Sequence, residues 1–278
     1  MKLVKHLLVI IIFFQISIFS NVVQSDHVES ELISEVESIQ PGQPFWVALR
    51  LKMEEHWHTY WLNAGDAGLK TTIDWNLPEG FSASEIYWPF PQKIYLDDFA
   101  NYGYEGETFL LVKITPPQNI SEKEIELKAN ANWLVCKIAC QPGGAEHYLK
   151  LSIKNKTPKP VEEWRQAFDE TISNLPINKS DWSISSTKNE EGIKIFLVPP
   201  SQNTDVDKIE FFPYEGGIYN NAAPQKFVKN KNGFELTIPF DDFKVSDPNS
   251  LKGILVSNKR WNKSGDAKAL EINIPFKK

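Results

Sequence analysis

Phe45, Val47, Leu49, Leu51 and Met53 alternate with Trp46, Ala48, Arg50 and Lys52, so one face of this segment is continuously apolar. A period of two belongs to a strand with one buried face and argues against a helix there. Similar short candidates lie at residues 71–75, 85–88, 108–114, 125–135 and 148–153. Pro78-Glu79-Gly80, Pro89-Phe90-Pro91 and Pro116-Pro117 separate them. Many short strands with such breaks predict a β-sandwich.

The chain has 278 residues, which suits two domains. A polar stretch at residues 154–160 carries Pro158 and Pro160 and marks a boundary between residues 26–157 and 158–278. Val161, Trp164, Phe168 and Ile172 then recur at helical spacing, with Pro160 suited to a first turn. This predicts one helix bridging the domains. Strand patterns return at residues 182–186, 192–198, 208–212, 233–238, 251–256 and 269–274, giving a second β-sandwich. The polar run from Lys229 to Asn232 before Gly233 is a hairpin signal.

Residues 1–25 read as a secretory leader. Lys2 and Lys5 precede an apolar run from Leu7 to Phe14, and Val23-Gln24-Ser25 offers a cleavage site before Asp26. A membrane anchor is the competing reading, but Gln15 and Ser17 interrupt the run. Export places the chain where disulfides persist. The net charge of -6 leaves no basic surplus to neutralise phosphates, which argues against nucleic acid as a partner.

The chain holds 2 cysteines, in Trp133-Leu134-Val135-Cys136-Lys137-Ile138-Ala139-Cys140-Gln141-Pro142-Gly143-Gly144. A disulfide needs Cα atoms about 4.4–6.8 Å apart, whereas four extended residues span about 13–14 Å. The chain must therefore turn between the two cysteines if they are to bond. Closing so short a loop constrains the unfolded chain by only about 2 kcal/mol, against about 4.7 kcal/mol for a loop of 100 residues. Such a bond is a weak staple and a better redox pair. A structural bridge, a metal site and free thiols stay open as alternatives.

Further motifs narrow the choice. The run His58-Thr59-Tyr60-Trp61-Leu62-Asn63-Ala64-Gly65-Asp66-Ala67-Gly68-Leu69, with Asn101-Tyr102-Gly103-Tyr104-Glu105-Gly106 and Trp133-Leu134-Val135-Cys136-Lys137, resembles the N-terminal domain of the thiol:disulfide interchange protein DsbD family. The resemblance is strongest to the branch that includes the suppressor of copper sensitivity protein ScsB. Gly217-Ile218-Tyr219-Asn220-Asn221-Ala222-Ala223-Pro224-Gln225 extends it into the second half. It implies immunoglobulin-like domains in the periplasm, no cofactor, and protein-disulfide reductase chemistry at Cys136 and Cys140. It implies Cys140 as the nucleophile and Cys136 as the resolving thiol. It also implies a membrane electron donor of DsbD/CcdA type and a thioredoxin-like periplasmic acceptor. In the family an aromatic loop caps the cysteines. The local match is Asp97-Asp98-Phe99, with Tyr102 and Tyr104 as further candidates. Asp97 and Asp98 beside the sulfurs would oppose thiolate formation.

Two other features compete for function. Met53, His56 and His58 offer a soft donor set for copper, with the two histidines on one face if the segment is a strand, and His147 is a distant fourth candidate. A non-catalytic binding module for copper or a protein is therefore the alternative. Asp66, between Gly65 and Gly68, reads as a turn residue.

Overall fold

The structure is a computed structural model that describes residues 19–201, 206–262 and 265–276. The apolar run and positive charges of the leader lie outside the described residues. The first domain contains β1 (Phe19–Ser20), β2 (Val23–Ser25), β3 (Val28–Ser34), β4 (Ser38–Ile39), β5 (Phe45–Met53), β6 (His58–Gly65) and β7 (Thr72–Asn76). It continues with β8 (Ser82–Ala83), β9 (Gln92–Leu96), β10 (Phe99–Glu105), β11 (Glu107–Thr115), β12 (Glu124–Cys136) and β13 (Cys140–Ile153). After α1 (Glu162–Ser173), the second domain contains β14 (Ser183–Lys188), β15 (Gly192–Val198), β16 (Ile209–Pro213), β17 (Lys226–Asn230), β18 (Gly233–Pro239), β19 (Ser250–Ser257) and β20 (Ala269–Pro275).

The molecule is mainly β, as the alternation predicts, and immunoglobulin-like, as the resemblance implies. In the first domain one sheet runs β1-β13-β12-β6-β10-β9, with β4 on β13 and β7 on β12. The facing sheet runs β2-β3-β5-β11-β8. Leu49 and Leu51 of β5, Leu110 of β11, Leu127 and Val135 of β12 and Leu149 of β13 fill the space between them. The second domain packs β14-β15-β18-β17 against β16-β19-β20 around Ile195, Phe211, Leu236 and Leu255.

Two expectations differ locally. Residues 85–88 do not form a strand; Tyr87 makes a single bridge to Leu111. Pro160 lies before the helix, whose N-cap is Val161. The helix, which joins the domains along the chain, packs on the first: its Phe168 meets Ile33, Ala48 and Leu111 on the outer face of the first domain's second sheet.

Val23–Ser25, assigned to the leader from sequence, pairs with β3 in the register Val23↔Ser30 to Ser25↔Val28. Asn21 is also held, donating from Nδ2 to the Glu146 carbonyl at 2.8 Å and accepting from the Tyr148 amide at 2.8 Å. No helix among the described residues is long and apolar enough to cross a membrane.

Candidate functional site: a disulfide at the neck of a hairpin

The strands β12 and β13 form one long hairpin, in register from Glu124↔Ser152 to Cys136↔Cys140. Ile125, Leu127, Ala129, Ala131, Trp133 and Val135 face the core, so the phase places Cys136 on the opposite face. Residues 137–139 reverse the chain, bringing the two cysteine Cα atoms to 4.1 Å in a disulfide. The turn demanded by the spacing is thus the hairpin turn itself.

The two sulfurs have unequal surroundings. Cys136 is 0% exposed although it sits on the outer face of its sheet, while Cys140 is exposed. Neighbouring strands account for the difference. Glu105 of β10 pairs with His58 of β6, His58 pairs with Cys136, and Cys136 pairs with Cys140. Paired residues on adjacent strands point to the same face, so these four side chains form a row across the sheet. Two residues along β6, Tyr60 shares this face, and its hydroxyl donates to Cys140 Sγ at 3.5 Å. The His58 and Tyr60 rings meet edge to face at 5.2 Å.

The loop at residues 66–71 covers the Tyr60 ring. Gly68 lies flat on it at φ 115°, and a Cβ there would stand 2.2 Å from Tyr60 Cε1. Burial pushes the Tyr60 hydroxyl up to about 12. Burial also lowers the His58 pKa, opposed by the Glu105 carboxylate. His58 Nε2 is buried without a hydrogen-bond partner. At the hairpin tip Ile138 is 86% exposed, two residues from the exposed sulfur.

The remaining sequence candidates lie elsewhere. Asp97, at φ 51°, and Asp98 form the exposed turn between β9 and β10, and Phe99 follows, exposed. Glu105, six residues along β10, is the end aligned with the cysteines, so the turn stands about 20 Å away along the strand. The aromatic Phe99 expected as a cap is therefore not at the disulfide, whose aromatic neighbour is Tyr60. Tyr102 donates to Asn221 Oδ1 at 2.8 Å and Tyr104 to the Pro89 carbonyl at 2.7 Å, both buried away from the sulfurs.

The copper candidates do not converge either. Met53 is in the core, with its sulfur accepting from Thr59 Oγ1. His56 is in an exposed turn at φ 70°, rather than sharing a strand face with His58. His147 pairs with Ala129, far down β13 from Cys140. Among the described residues no group of three His, Cys, Asp or Glu is placed to hold a metal ion.

Several motif residues instead join the domains. Asp66 accepts from the Ala100 amide at 2.7 Å and from Asn221 Nδ2 at 2.7 Å. Lys93 Nζ donates to the Asn221 carbonyl at 3.0 Å, and Asn63 Nδ2 to the Pro213 carbonyl at 2.8 Å. Trp61 packs against Phe212 and Tyr214. The strand β6 therefore carries the disulfide's neighbours on one face and the domain joint on the other.

Residues 26–152, the span that builds this hairpin and its surroundings, match the family described as thiol:disulfide interchange protein DsbD, N-terminal. The match places a domain of DsbD N-terminal type in the first half of the chain. The DsbD-type domain with its cross-strand disulfide is a thiol:disulfide exchange module. The whole chain is similar in fold to the crystal structure of the N-terminal periplasmic domain of ScsB from Proteus mirabilis. That match has a TM-score of 0.63 at 14% identity and covers 91% of this chain and 95% of the other. The sporulation control protein Spo0M from Bacillus subtilis also aligns, over 90% of each chain at 12% identity, but its TM-score of 0.22 carries no argument. No curated protein sequence matches the chain.

Sequence reasoning found both cysteines of the DsbD-type site but not Tyr60 as their aromatic neighbour. The signal lay in His58-Thr59-Tyr60, where alternation places His58 and Tyr60 on one face.

Proposed function

We propose that this chain is an exported protein-disulfide reductase component in which Cys140 exchanges with partner proteins and Cys136 resolves the product. The observation that carries this reading is the unequal exposure of one disulfide. A foreign sulfur has access to Cys140, while Cys136 is enclosed beside it.

In the reduced protein the Cys140 thiolate attacks a partner disulfide. A bond forms between Cys140 and one partner sulfur, and the other partner sulfur leaves as a thiolate that takes a proton. Cys136 then loses its proton and attacks Cys140 Sγ. The Cys136–Cys140 bond forms, the mixed disulfide breaks, and the second partner sulfur leaves as a thiolate that is protonated. The partner gains two electrons and this protein loses two. Reversing the steps with a donor dithiol restores the reduced form.

The acceptor is a thioredoxin-like periplasmic protein, and the donor is a membrane protein of DsbD/CcdA type. Exposed Ile138 supplies an apolar contact for either partner beside the reacting sulfur. The family match and the periplasmic ScsB domain of similar fold support this placement. The leader reading is retained, with cleavage ahead of β2 instead of after Ser25, because β2 and Asn21 are built into the sandwich.

The test is trapping in a Cys136→Ser strain, which removes the resolving thiol. Mass spectrometry should find partner proteins joined through Cys140. A Cys140→Ser strain yielding the same adducts through Cys136 would overturn the assignment.

A further inference from the structure

We infer that His58 is the proton acceptor for Cys136 in the resolving step; this rests on the exchange reaction proposed above. His58 is the residue directly across from Cys136 on the side opposite Cys140. Side chains so paired on antiparallel strands have Cβ atoms about 4.5–5.5 Å apart and point the same way. The imidazole is 2% exposed, and Nε2 has no hydrogen-bond partner. A buried polar atom left unpaired is costly and calls for an explanation. Cys136 is sealed from solvent, so water does not reach its thiol to take the proton when it attacks. A neutral imidazole beside it supplies the missing base.

The groups around His58 fit this role. Glu105, from β10, faces it on one side and Cys136, from β12, on the other; Tyr60, on its own strand, stands at the ring edge. Glu105 accepts from Gln92 Nε2 at 2.8 Å and is exposed. Burial favours the neutral imidazole, while the Glu105 carboxylate favours the imidazolium once the proton arrives. In the step itself the Cys136 S–H bond breaks, the proton passes to the ring nitrogen, and the sulfur pair closes on Cys140. The partner thiolate leaves, and the imidazolium releases its proton afterwards. In the opposite direction the imidazolium protonates the departing Cys136 thiolate.

The experiment uses the reduced full chain and 5,5′-dithiobis(2-nitrobenzoate) in a stopped-flow instrument across pH 5.5–9.5. Attack by Cys140 releases one nitrothiolate, and displacement by Cys136 releases the second. In His58→Gln the second phase should slow at pH 6.5 by about 10²-fold, within the range for general base catalysis. The gap should narrow as the pH rises toward 9.5, where the growing hydroxide concentration makes loss of the thiol proton depend less on the imidazole. The first phase should be unchanged. In His58→Ala, added imidazole should restore part of the second phase. Equal slowing at every pH, no slowing, or absence of rescue in a folded His58→Ala protein would each overturn the role of His58. If the wild type itself fails to release the second nitrothiolate, the exchange reading falls as well, so the two failures are distinguishable.

Discussion

One ring packs beside the disulfide. Tyr60 is held between Gly68 on one side and Cys140 Sγ on the other. A side chain at position 68 has no room, and its φ of 115° disfavours any residue but glycine. Gly68→Ala should therefore lower stability by about 1–3 kcal/mol in urea unfolding. It should also speed reduction of the disulfide by dithiothreitol, because displacing the ring removes its contact with Cys140 Sγ and opens the bond to the reductant. A slower or unchanged reduction rate would contradict this shielding by Tyr60. Two imidazoles add a pH dependence. Burial lowers the pKa of both His58 and His147 in the folded chain. A base whose folded pKa is depressed binds its proton more readily when unfolded, so stability is full above the unfolded value of about 6.5 and falls as pH drops below it. Denaturant midpoints between pH 7.5 and 5 should show this loss, and His147→Leu should flatten it.

At the scale of elements, β6 explains what the sequence left hidden. The strands β12, β15 and β18 bury one face, so alternation exposes them in the sequence, and β5, buried on both faces, still alternates through Arg50 and Lys52. In β6, His58, Thr59, Tyr60 and Trp61 are all buried: Gly68 lies against Tyr60 on one face, while Thr59 and Trp61 turn into the core, where Phe212 and Tyr214 of the second domain join it. With both faces of β6 covered, its period two disappears, and β10 is obscured in the same way. The position of the Asp97–Asp98 turn was equally illegible. Its residues announce a turn, but only the pairing of β10 with β6 shows which end meets the cysteines. Asp66 reads as a turn residue and Asn221 only as part of a family motif, yet together they form the joint between domains. Asn221→Ala would leave the buried Tyr102 hydroxyl without its acceptor and Asp66 Oδ1 without its donor. A loss of about 1–3 kcal/mol is expected. Differential hydrogen exchange should rise at β6 and β10 and remain unchanged at β17, which takes no part in the joint.

For the whole molecule, the two sandwiches share more than a linker. Phe212, Ile254 and Ala269 of the second domain belong to the core of the first, so the second domain buttresses the sheet that bears the disulfide. At the other edge, β2 closes the first domain's second sheet next to β3. The mass of the exported chain should therefore retain Asn21 to Ser25; a mature protein beginning at Asp26 would contradict this boundary. The central claim is that the Cys136–Cys140 bond is an exchanging pair and not a staple. Equilibrating the purified full chain against a series of glutathione buffers, followed by thiol alkylation and mass spectrometry, tests it directly. Structural bridges have potentials below about -300 mV. The account expects a midpoint well above that value, with Cys140 the faster of the two thiols to alkylate. A pair that stays oxidised in the most reducing buffer would contradict it.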